Sequence, residues 1–410
     1  MGQNRPYFLY KNSIDQLIWI YRESNLRLSS MFQFIQHQND LTHVLKLMDQ
    51  NSVYGLDTEF IKVDTLWPKL GVFQINVDNK VYLLDGTTLD LTEFLNKIFN
   101  AQQNIFHACS EDIDLIYHYT QKKSLSNVFD TQVGMSFLGH GLQVSYQNAL
   151  KQMLEVDIEK DQTRSDWLAR PLSSEQLLYA ANDVHYLVQL SEKIKRDLES
   201  KDLLDFALQD CRFLTQEIGE DTPTALLYQD VGNYRHSRRQ LMQLQQLMVW
   251  RDQIAKALNQ PRSFILKNAS MIDLVEKFPR NNFQLSHVKD IRSNVVREHG
   301  KTILDLLKFL PEPANWPLRL ARPIRHSSKD IGEKIDSIIQ NVVNETSIPK
   351  EVLMRKKWLN ALYQHVVFHK DEQDLPDYLL GWRYELLTRP LIQVLHQDES
   401  YLSTQMKVSE

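Results

Sequence analysis

Cysteine is scarce in this chain of 410 residues, which contains only Cys109 and Cys211. Two cysteines cannot build a disulfide framework or a cysteine-based zinc site, so we expect a reducing compartment. Apolar runs long enough to cross a bilayer are also absent. The short stretch LIWIY is hemmed in by Asp15 and Arg22, and no small-residue cleavage site follows it, which argues against a signal peptide. These absences predict a soluble, cytoplasmic protein with no membrane partner.

Charge is distributed unevenly, although the formal net charge is only −5. Residues 234–329 contain 18 Lys and Arg against 7 Asp and Glu, whereas the rest of the chain contains 29 against 45. One basic segment is therefore joined to an acidic remainder. This asymmetry predicts a module that binds a polyanion, next to a part that gathers carboxylates for another purpose such as metal binding.

Hydrophobic periodicity divides the chain into an α/β half and an all-α half. Five strand patterns are present: VYGLDTEF, GVFQINV, KVYLLD, NIFHA and NVFD. Asp78-Asn79 predicts a tight hairpin turn between the second and third of them. Ser110 is a candidate N-cap, and Ser173 with Gln176 has the spacing of a capping box that opens one long helix, SEQLLYAANDVHYLVQLSEKIKRDL. Beyond about Leu208 only helical patterns occur, in two segments separated by a proline-rich stretch.

Asp57 and Glu59 stand at the end of the first strand pattern, where carboxylates are unexpected. Residues two apart on a strand point to the same face, so the two acids lie side by side and repel each other. A bound divalent cation would compensate them, because carboxylate oxygens are the ligands of Mg²⁺. The D-x-E pattern alone is weak evidence, since it recurs at Asp157 and Glu159 in a stretch without strand character.

Two further acidic groups follow. Glu111 and Asp112 fall in the first turn of a predicted helix, where the helix dipole favours negative charge whether or not the residues have a function. Tyr179 and Asp183 are four residues apart and therefore share one face of the long helix. Of 16 tyrosines, only Tyr179 is followed by Asp at this spacing. An Asp on an apolar helix face is costly unless it is paired or liganded, which favours a functional role.

Asp57, Glu59, Asp112, Tyr179 and Asp183 together resemble the D-E-D-D superfamily of 3′–5′ exonucleases, in its tyrosine subclass. The motifs GLDTEF, HACSED, TRSDWLARPLS and YAANDVHYL resemble, in this order, those of the bacterial ribonuclease D family. The helical half is similar to the HRDC module of that family and of RecQ-type helicases, and LPDYLLGWRYELL resembles the end of a second, divergent copy. The resemblance implies an α/β ribonuclease H-like exonuclease domain with a mixed five-stranded sheet, followed by two all-α HRDC bundles.

The expected domain boundaries follow from these matches. We predict an N-terminal extension over residues 1–31 and an exonuclease domain over 32–207. A linker over 208–233 leads to a first HRDC domain over 234–311. A second linker over 312–327 leads to a divergent HRDC-like domain over 328–405. Because the family-like sequence begins near Met31, we expect a chain starting there to be fully active.

The resemblance also implies a mechanism, in which two Mg²⁺ or Mn²⁺ ions promote hydrolysis of the terminal phosphodiester. Asp57 would bridge both ions, Glu59 and Asp183 would complete the first site, and Asp112 would hold the second. Tyr179 would orient the attacking water. The products would be nucleoside 5′-monophosphates released from a 3′ end.

The resemblance points to RNA as the partner, most specifically tRNA precursors and other structured small RNAs with single-stranded 3′ ends. We expect a monomer. Phe60 and Trp67 are candidates for stacking on terminal bases, and Arg164 and Arg170 for contacting phosphate, although each could equally be core or surface. Two alternatives remain open: an exonuclease directed at DNA, and an RNA-binding scaffold without activity, which the intact set of acidic residues disfavours.

Overall fold

The computed structural model describes residues 31–158, 165–324 and 329–406. The predicted N-terminal extension therefore lies outside the described residues, apart from Met31. The chain forms two compact units: one comprises the residues up to Ile61 together with Lys69–Gln216, and the other comprises Lys62–Pro68 together with the residues from Glu217 onward. Within the described ranges, no helix is long and apolar enough to cross a membrane.

The first unit is built on one mixed sheet, which confirms the predicted architecture. Its strands are β1 (Phe32–Ile35), β2 (Val53–Ile61), β3 (Lys69–Val77), β4 (Lys80–Asp85), β5 (Gln103–Phe106) and β6 (Val128–Asp130). They lie in the order β1-β4-β3-β2-β5-β6. The pairs β2/β3 and β3/β4 are antiparallel, and the other pairs are parallel. The predicted number of five strands is wrong, because it leaves out β1, which joins the edge of the sheet by pairing with β4.

The β3–β4 connection is the tight hairpin turn that the sequence predicted. Asp78 and Asn79 both have left-handed backbone angles, with φ of 53° and 56°. Two consecutive residues with positive φ match the right-handed twist of the flanking strands, and Asp and Asn tolerate this conformation better than most residues. The turn fixes the register of β3 against β4.

Helices cover the sheet. They are α1 (Gln38–Gln50), α2 (Thr92–Asn100), α3 (Ser110–Thr120), α4 (Thr131–Phe137), α5 (Tyr146–Leu154), α6 (Ser174–His185), α7 (Leu187–Glu199) and α8 (Leu204–Gly219). The capping box of Ser173 and Gln176 opens α6 as predicted. The single long helix predicted after it is wrong, because the chain breaks at Tyr186. At the break, the buried Asn76 amide donates to the carbonyls of Val184 and His185, at 3.0 and 2.9 Å.

The predicted boundary after residue 207 falls inside α8. The Thr215 carbonyl accepts a hydrogen bond from the Tyr117 hydroxyl at 3.1 Å, and Cys211 is fully buried, so this helix belongs to the first unit. A 3₁₀ helix over Thr224–Asp230 follows, and Tyr228 and Val231 pack into the core of the second unit. Residues 208–233 are therefore ordered parts of the two units rather than the linker that the sequence predicted.

The second unit is helical. Its α-helices are α9 (Arg238–Leu258), α10 (Arg262–Ile265), α11 (Asn268–Lys277), α12 (Asn282–Leu285), α13 (Ser293–Lys308), α14 (Lys329–Thr346), α15 (Lys350–Leu353), α16 (Lys356–Phe368), α17 (Asp377–Leu380), α18 (Arg389–Gln397) and α19 (Glu399–Met406). A one-turn π-helix, Tyr384–Thr388, precedes α18. A capping box of Ser237 and Gln240 begins α9, which is the longest of these helices.

The loop Lys62–Pro68 belongs to this helical unit, although β2 and β3 of the sheet flank it. Leu66 is buried in the hydrophobic core around α9, and Trp67 packs against the same core. The backbone amide of Trp67 donates to the Asn259 side-chain oxygen at 3.2 Å, and that of Leu66 donates to the Asn259 carbonyl at 3.3 Å. The loop is thus held by both apolar burial and hydrogen bonds.

Candidate active site

Strand β2 supplies the first two carboxylates. Asp57 and Glu59 alternate with the buried Thr58 on β2, and the ladder to β3 shifts register between Glu59 and Phe60. The Thr58 hydroxyl donates a hydrogen bond to the carboxylate of Asp112. Asp112 lies in the first turn of α3, directly after β5, which is the parallel neighbour of β2. Neighbouring strands therefore bring three of the predicted acids to one region.

Helix α3 begins one residue earlier than predicted. Cys109, rather than Ser110, occupies the N-cap, and its side chain makes no capping hydrogen bond. The carboxylate of Asp130, at the end of β6, receives the backbone amides of Ala108 and Cys109 instead, at 3.1 and 2.8 Å. This contact holds the chain that leads into the turn carrying Asp112.

Helix α6 supplies the remaining predicted pair. Tyr179 and Asp183 are one turn apart, and the Tyr179 hydroxyl donates a hydrogen bond to the Asp183 carboxylate. This helix packs on β2, β3 and β4, which brings Asp183 over Asp57 and Glu59. One carboxylate oxygen from each of Asp57, Glu59 and Asp183 lies within 4.8 Å of the others. Such a triplet has the donor chemistry and the spacing that a hard divalent cation requires.

The four carboxylates shift each other's protonation equilibria. Burial, and then the nearby charges of Asp112, Asp183 and Glu59, raises the pKa of Asp57 well above its usual value. Burial, and then the charges of Asp183 and Asp112, raises the pKa of Glu59 to about 9. The pKa values of Asp112 and Asp183 rise to about 7, chiefly through burial, although hydrogen bonds from Thr58 and Tyr179 oppose the rise. Without a cation, this cluster cannot be fully ionised at neutral pH.

A cavity of about 240 Å³ opens beside the cluster. Asp57, Asp183 and Tyr179 line it, together with His107, Tyr146 and Gln147. Sequence reasoning missed these last three residues. His107 lies within the predicted strand pattern NIFHA, but Tyr146 and Gln147 lie in a stretch with no distinctive pattern. Only the packing of α5 against α7 brings these two residues to the cavity.

The predicted substrate contacts have different outcomes. Phe60 is partly buried on β2, and its stacking on a base remains a prediction. Trp67 packs against the core of the second unit, so its predicted stacking is replaced by a structural role. Arg164 lies outside the described residues.

Arg170 does not have the phosphate-binding role predicted for it. Its guanidinium contacts Asp85 through Nε and Nη2 at 2.8 and 2.6 Å. Its other hydrogen bonds go to the backbone carbonyls of Gly71, Trp167 and Ala169. These contacts use all five N–H donors of the side chain. Arg170 therefore holds the segment before α6 against the sheet.

Comparisons with known proteins agree with this arrangement. Residues 32–199 match the family described as 3′–5′ exonuclease, residues 240–307 match the HRDC domain, and residues 328–391 match the ribonuclease D C-terminal HRDC domain. Ribonuclease D of Pseudomonas paraeruginosa is 29% identical, over 88% of this chain and 97% of that protein. Ribonuclease D of a Shewanella species is also 29% identical, over 91% and 95% of the two chains.

The same likeness extends to three dimensions. The crystal structure of Escherichia coli RNase D, described as an exoribonuclease involved in structured RNA processing, superposes with a TM-score of 0.82 at 26% identity. The match covers 89% of this chain and 99% of that one. Sequence and fold thus agree along nearly the whole length, and the chain belongs to the ribonuclease D family of 3′–5′ exoribonucleases.

Proposed function

We propose that this enzyme trims the 3′ ends of tRNA precursors and other structured small RNAs, one nucleotide at a time, by hydrolysis that depends on divalent metal. The observation that carries this proposal is the triplet of Asp57, Glu59 and Asp183, with Tyr179 beside it, at a cavity of about 240 Å³. This volume is below the range of about 300–1,000 Å³ typical of pockets for drug-sized ligands, so it suits one residue of a strand. A single-stranded end, rather than a duplex, would enter it.

The carboxylates fit a divalent cation. Asp57, Glu59 and Asp183 would hold one ion, and Asp112, next to Asp57, would contribute to a second. Bound there, Mg²⁺ or Mn²⁺ neutralises the charge that develops on the phosphate and lowers the pKa of water near it. The raised pKa values of the acids in the metal-free protein support this assignment, because such a cluster favours any ligand that brings positive charge.

Tyr179 contributes as a neutral hydroxyl. In the metal-free protein, burial, and then the charges of Asp183, Glu59 and Asp57, raises its pKa, so the phenol is neutral at pH 7. Its hydroxyl, beside Asp183, can donate to or accept from the attacking water and fix the direction of attack.

The direct test uses a 3′-labelled tRNA precursor and a DNA oligonucleotide of matched sequence, each with Mg²⁺ and with chelator. We expect release of labelled nucleoside 5′-monophosphate from the RNA only when metal is present. Preferential degradation of the DNA would instead support the DNA-directed alternative, and binding without cleavage would support the scaffold.

Replacing Tyr179 by Phe should lower kcat by about 10- to 100-fold and leave KM nearly unchanged, because the ring still packs while the hydroxyl is lost. Steady-state kinetics on a single-stranded RNA would measure both constants. Asp183→Asn should be more damaging, since it removes a proposed metal ligand. Wild-type kcat in the Phe variant across pH would contradict the role given to the tyrosine.

A groove of about 1080 Å³ in the second unit supports the proposal that this unit grips RNA. Arg235, Arg319 and Lys370 line it together with Tyr234, and no Asp or Glu is among the described residues of its lining. Positive charge beside the exposed ring of Phe368, which also lines the groove, suits a single strand, whose phosphates would contact the cations and whose bases would contact the ring. Lys370 shows that this surface extends beyond the basic segment of the sequence.

Other arginines of the basic segment have structural roles. Arg238 donates to the carbonyls of Pro313, Trp316 and Pro317, and so holds the proline-rich stretch against α9. Arg262 forms an ion pair with Asp252. We therefore leave these two arginines out of the proposed RNA contacts and assign the contacts to the cations of the groove.

Replacing Arg235, Arg319 and Lys370 together by Gln should weaken RNA binding and lower the slope of log affinity against log salt by up to roughly 2, at about 0.7 per phosphate contact. Once RNA is bound, kcat should be unchanged. Binding titrations at several salt concentrations measure the slope. The matched control replaces Arg297, Lys301 and Lys308, exposed on α13 outside the groove, by Gln. If the two triple variants have equal slopes, the groove is not the binding surface.

A further inference from the structure

Tyr146 lines the cavity beside the carboxylates. It is the first residue of α5, and its side chain is buried, with 8% of the residue exposed. Asp57, Asp183 and Tyr179 line the same cavity. The proposed mechanism gives Tyr146 no task, because neither the metal ligands nor the water-orienting hydroxyl requires it.

The hydroxyl of Tyr146 is buried and makes no hydrogen bond of normal geometry within the described residues, although the backbone of Tyr186 lies close to it. Buried hydroxyls are normally satisfied, because an unmade hydrogen bond costs free energy. Two other buried tyrosines of this unit follow that rule. The Tyr54 hydroxyl donates within 2.8 Å of the Met48 and Asn51 carbonyls, and the Tyr117 hydroxyl lies between the Thr215 carbonyl and the Leu125 amide. The Tyr146 hydroxyl therefore requires a different explanation, and a ligand in the cavity provides one.

The surroundings of Tyr146 hold it in a fixed place. The Val144 carbonyl, two residues earlier, accepts from His107 Nε2 at 2.8 Å and from Gln132 Nε2 at 3.0 Å. The His107 ring lies 5.5 Å from the Tyr146 ring, centroid to centroid. Ser145 caps α5 by accepting the Asn148 amide at 3.4 Å. A side chain locked by its neighbours in this way is preorganised to bind, since little entropy remains to be lost.

The cavity is lined by two kinds of polar group. The carboxylates of Asp57 and Asp183 are suited to cations and, through them, to the scissile phosphate. Tyr146 offers a hydroxyl and Gln147 an amide, and burial lowers the pKa of His107, so its imidazole is neutral at pH 7. Groups that are polar but uncharged match the hydroxyls of a sugar better than they match a phosphate. The sugar next to the scissile phosphate is that of the 3′-terminal nucleotide.

We propose that the Tyr146 hydroxyl binds the 2′-hydroxyl of the 3′-terminal ribose, with Gln147 beside it, and so selects RNA ends over DNA ends. This inference rests on the proposed function, since it assumes that a 3′ end occupies the cavity. The 2′-hydroxyl both donates and accepts hydrogen bonds, and it is the group by which a protein distinguishes RNA from DNA at a given position. Tyr146 is thus a substrate-binding residue that determines specificity.

The experiment compares two oligonucleotides that are RNA throughout and differ only in the last sugar, which is ribose in one and 2′-deoxyribose in the other. Removal of that nucleotide is measured as kcat/KM for the wild type, for Tyr146→Phe and for Tyr117→Phe. We expect the wild type to prefer the ribose end, and Tyr146→Phe to lose about 3- to 10-fold on that end alone, as for one hydrogen bond. Tyr117→Phe removes a buried hydroxyl far from the sugar site and should keep the wild-type preference.

The possible results separate the inference from the function on which it rests. If the wild type removes no nucleotide from either RNA, the proposed function fails. If the wild type trims both ends equally, or if Tyr146→Phe loses the same factor on both, the inference alone is overturned. Thermal unfolding of each variant, together with circular dichroism, verifies that Tyr146→Phe is folded. Binding of ribo- and deoxyribonucleoside 5′-monophosphates to the variant provides a second reading that does not depend on turnover.

Discussion

Asp57→Asn should lower the rate of RNA hydrolysis by at least about 10³-fold and, without metal, make the protein more stable. The loss of activity follows from removing the carboxylate at the centre of the cluster. The gain in stability follows because burial and three neighbouring carboxylates disfavour charge at this position in the folded state. Removing that charge should raise the free energy of unfolding by about 1–2 kcal/mol, the equivalent of roughly one pKa unit.

The same reasoning gives a pH dependence. The folded-state pKa of Glu59 is about 9, and those of Asp112 and Asp183 are about 7, all above the values of about 4 in an unfolded chain. Between about pH 4 and about pH 9 these acids bind more protons in the folded state than in the unfolded state. Their contribution to the free energy of unfolding therefore falls as pH rises over this range. Thermal unfolding in chelator should show this fall in the wild type, and a smaller fall in Asp57→Asn.

Metal should reverse the effect. Mg²⁺ binds the ionised acids of the folded state, so it should raise Tm most in the wild type and at alkaline pH. Asp157→Asn is the matched control, because it makes the same chemical change at an exposed carboxylate paired with Lys151 at 3.1 Å. It should leave activity and the response to Mg²⁺ unchanged. An Asp57→Asn variant that still trims RNA at a comparable rate, or that is less stable in chelator, would refute the assignment.

Arg170→Met should reduce the free energy of unfolding by about 3 kcal/mol, because it leaves the Asp85 carboxylate buried without its partner. The Asp85 side chain is 0% exposed and that of Arg170 is 21% exposed, so the estimate is taken from the low end of the range for buried pairs. Burial by itself would raise the pKa of Asp85, but hydrogen bonds from Arg170, and then from Thr87 and Gln36, lower it to about 2. The stabilisation is therefore present above pH 4 and is lost as pH falls towards 2.

Chemical unfolding of Arg170→Met, Asp85→Asn and the double variant measures this interaction. The double variant should recover part of the loss, because no unpaired charge remains. RNA affinity distinguishes this structural role from the phosphate contact suggested by the sequence. A lost phosphate contact would lower the salt slope by roughly 0.7, whereas we expect the folded variant to have the wild-type slope.

The sequence predicted those parts of the site whose residues are close in the chain or follow a period. The period of a strand places Asp57 beside Glu59, and the period of a helix places Tyr179 above Asp183. Which acids share a metal site was inferred from family resemblance rather than from spacing. Their meeting depends on β2 lying between β3 and β5, which is a property of the whole sheet.

The predicted single helix, the predicted role of Arg170 and the missed Tyr146 have one common physical cause, which is contact between residues far apart in the chain. Asn76 takes the carbonyls at the end of α6, and nothing near Tyr186 signals the break. Asp85 lies 85 residues before Arg170, so the SDWLARP motif gave no sign that its arginine was already paired. Tyr146 lines the cavity of the carboxylates only because α5 packs against α7.

The loop Lys62–Pro68 has a practical consequence for work on this enzyme. Although the segment is encoded within the exonuclease part of the sequence, Leu66 and Trp67 find their apolar partners around α9. A fragment that stops near residue 216 retains every carboxylate of the site but leaves these two side chains facing water. Such a fragment gains an exposed hydrophobic patch, and it should self-associate as its concentration rises. The exonuclease part therefore cannot be fused unchanged to another RNA-binding domain. Such a fusion would require polar replacements of Leu66 and Trp67.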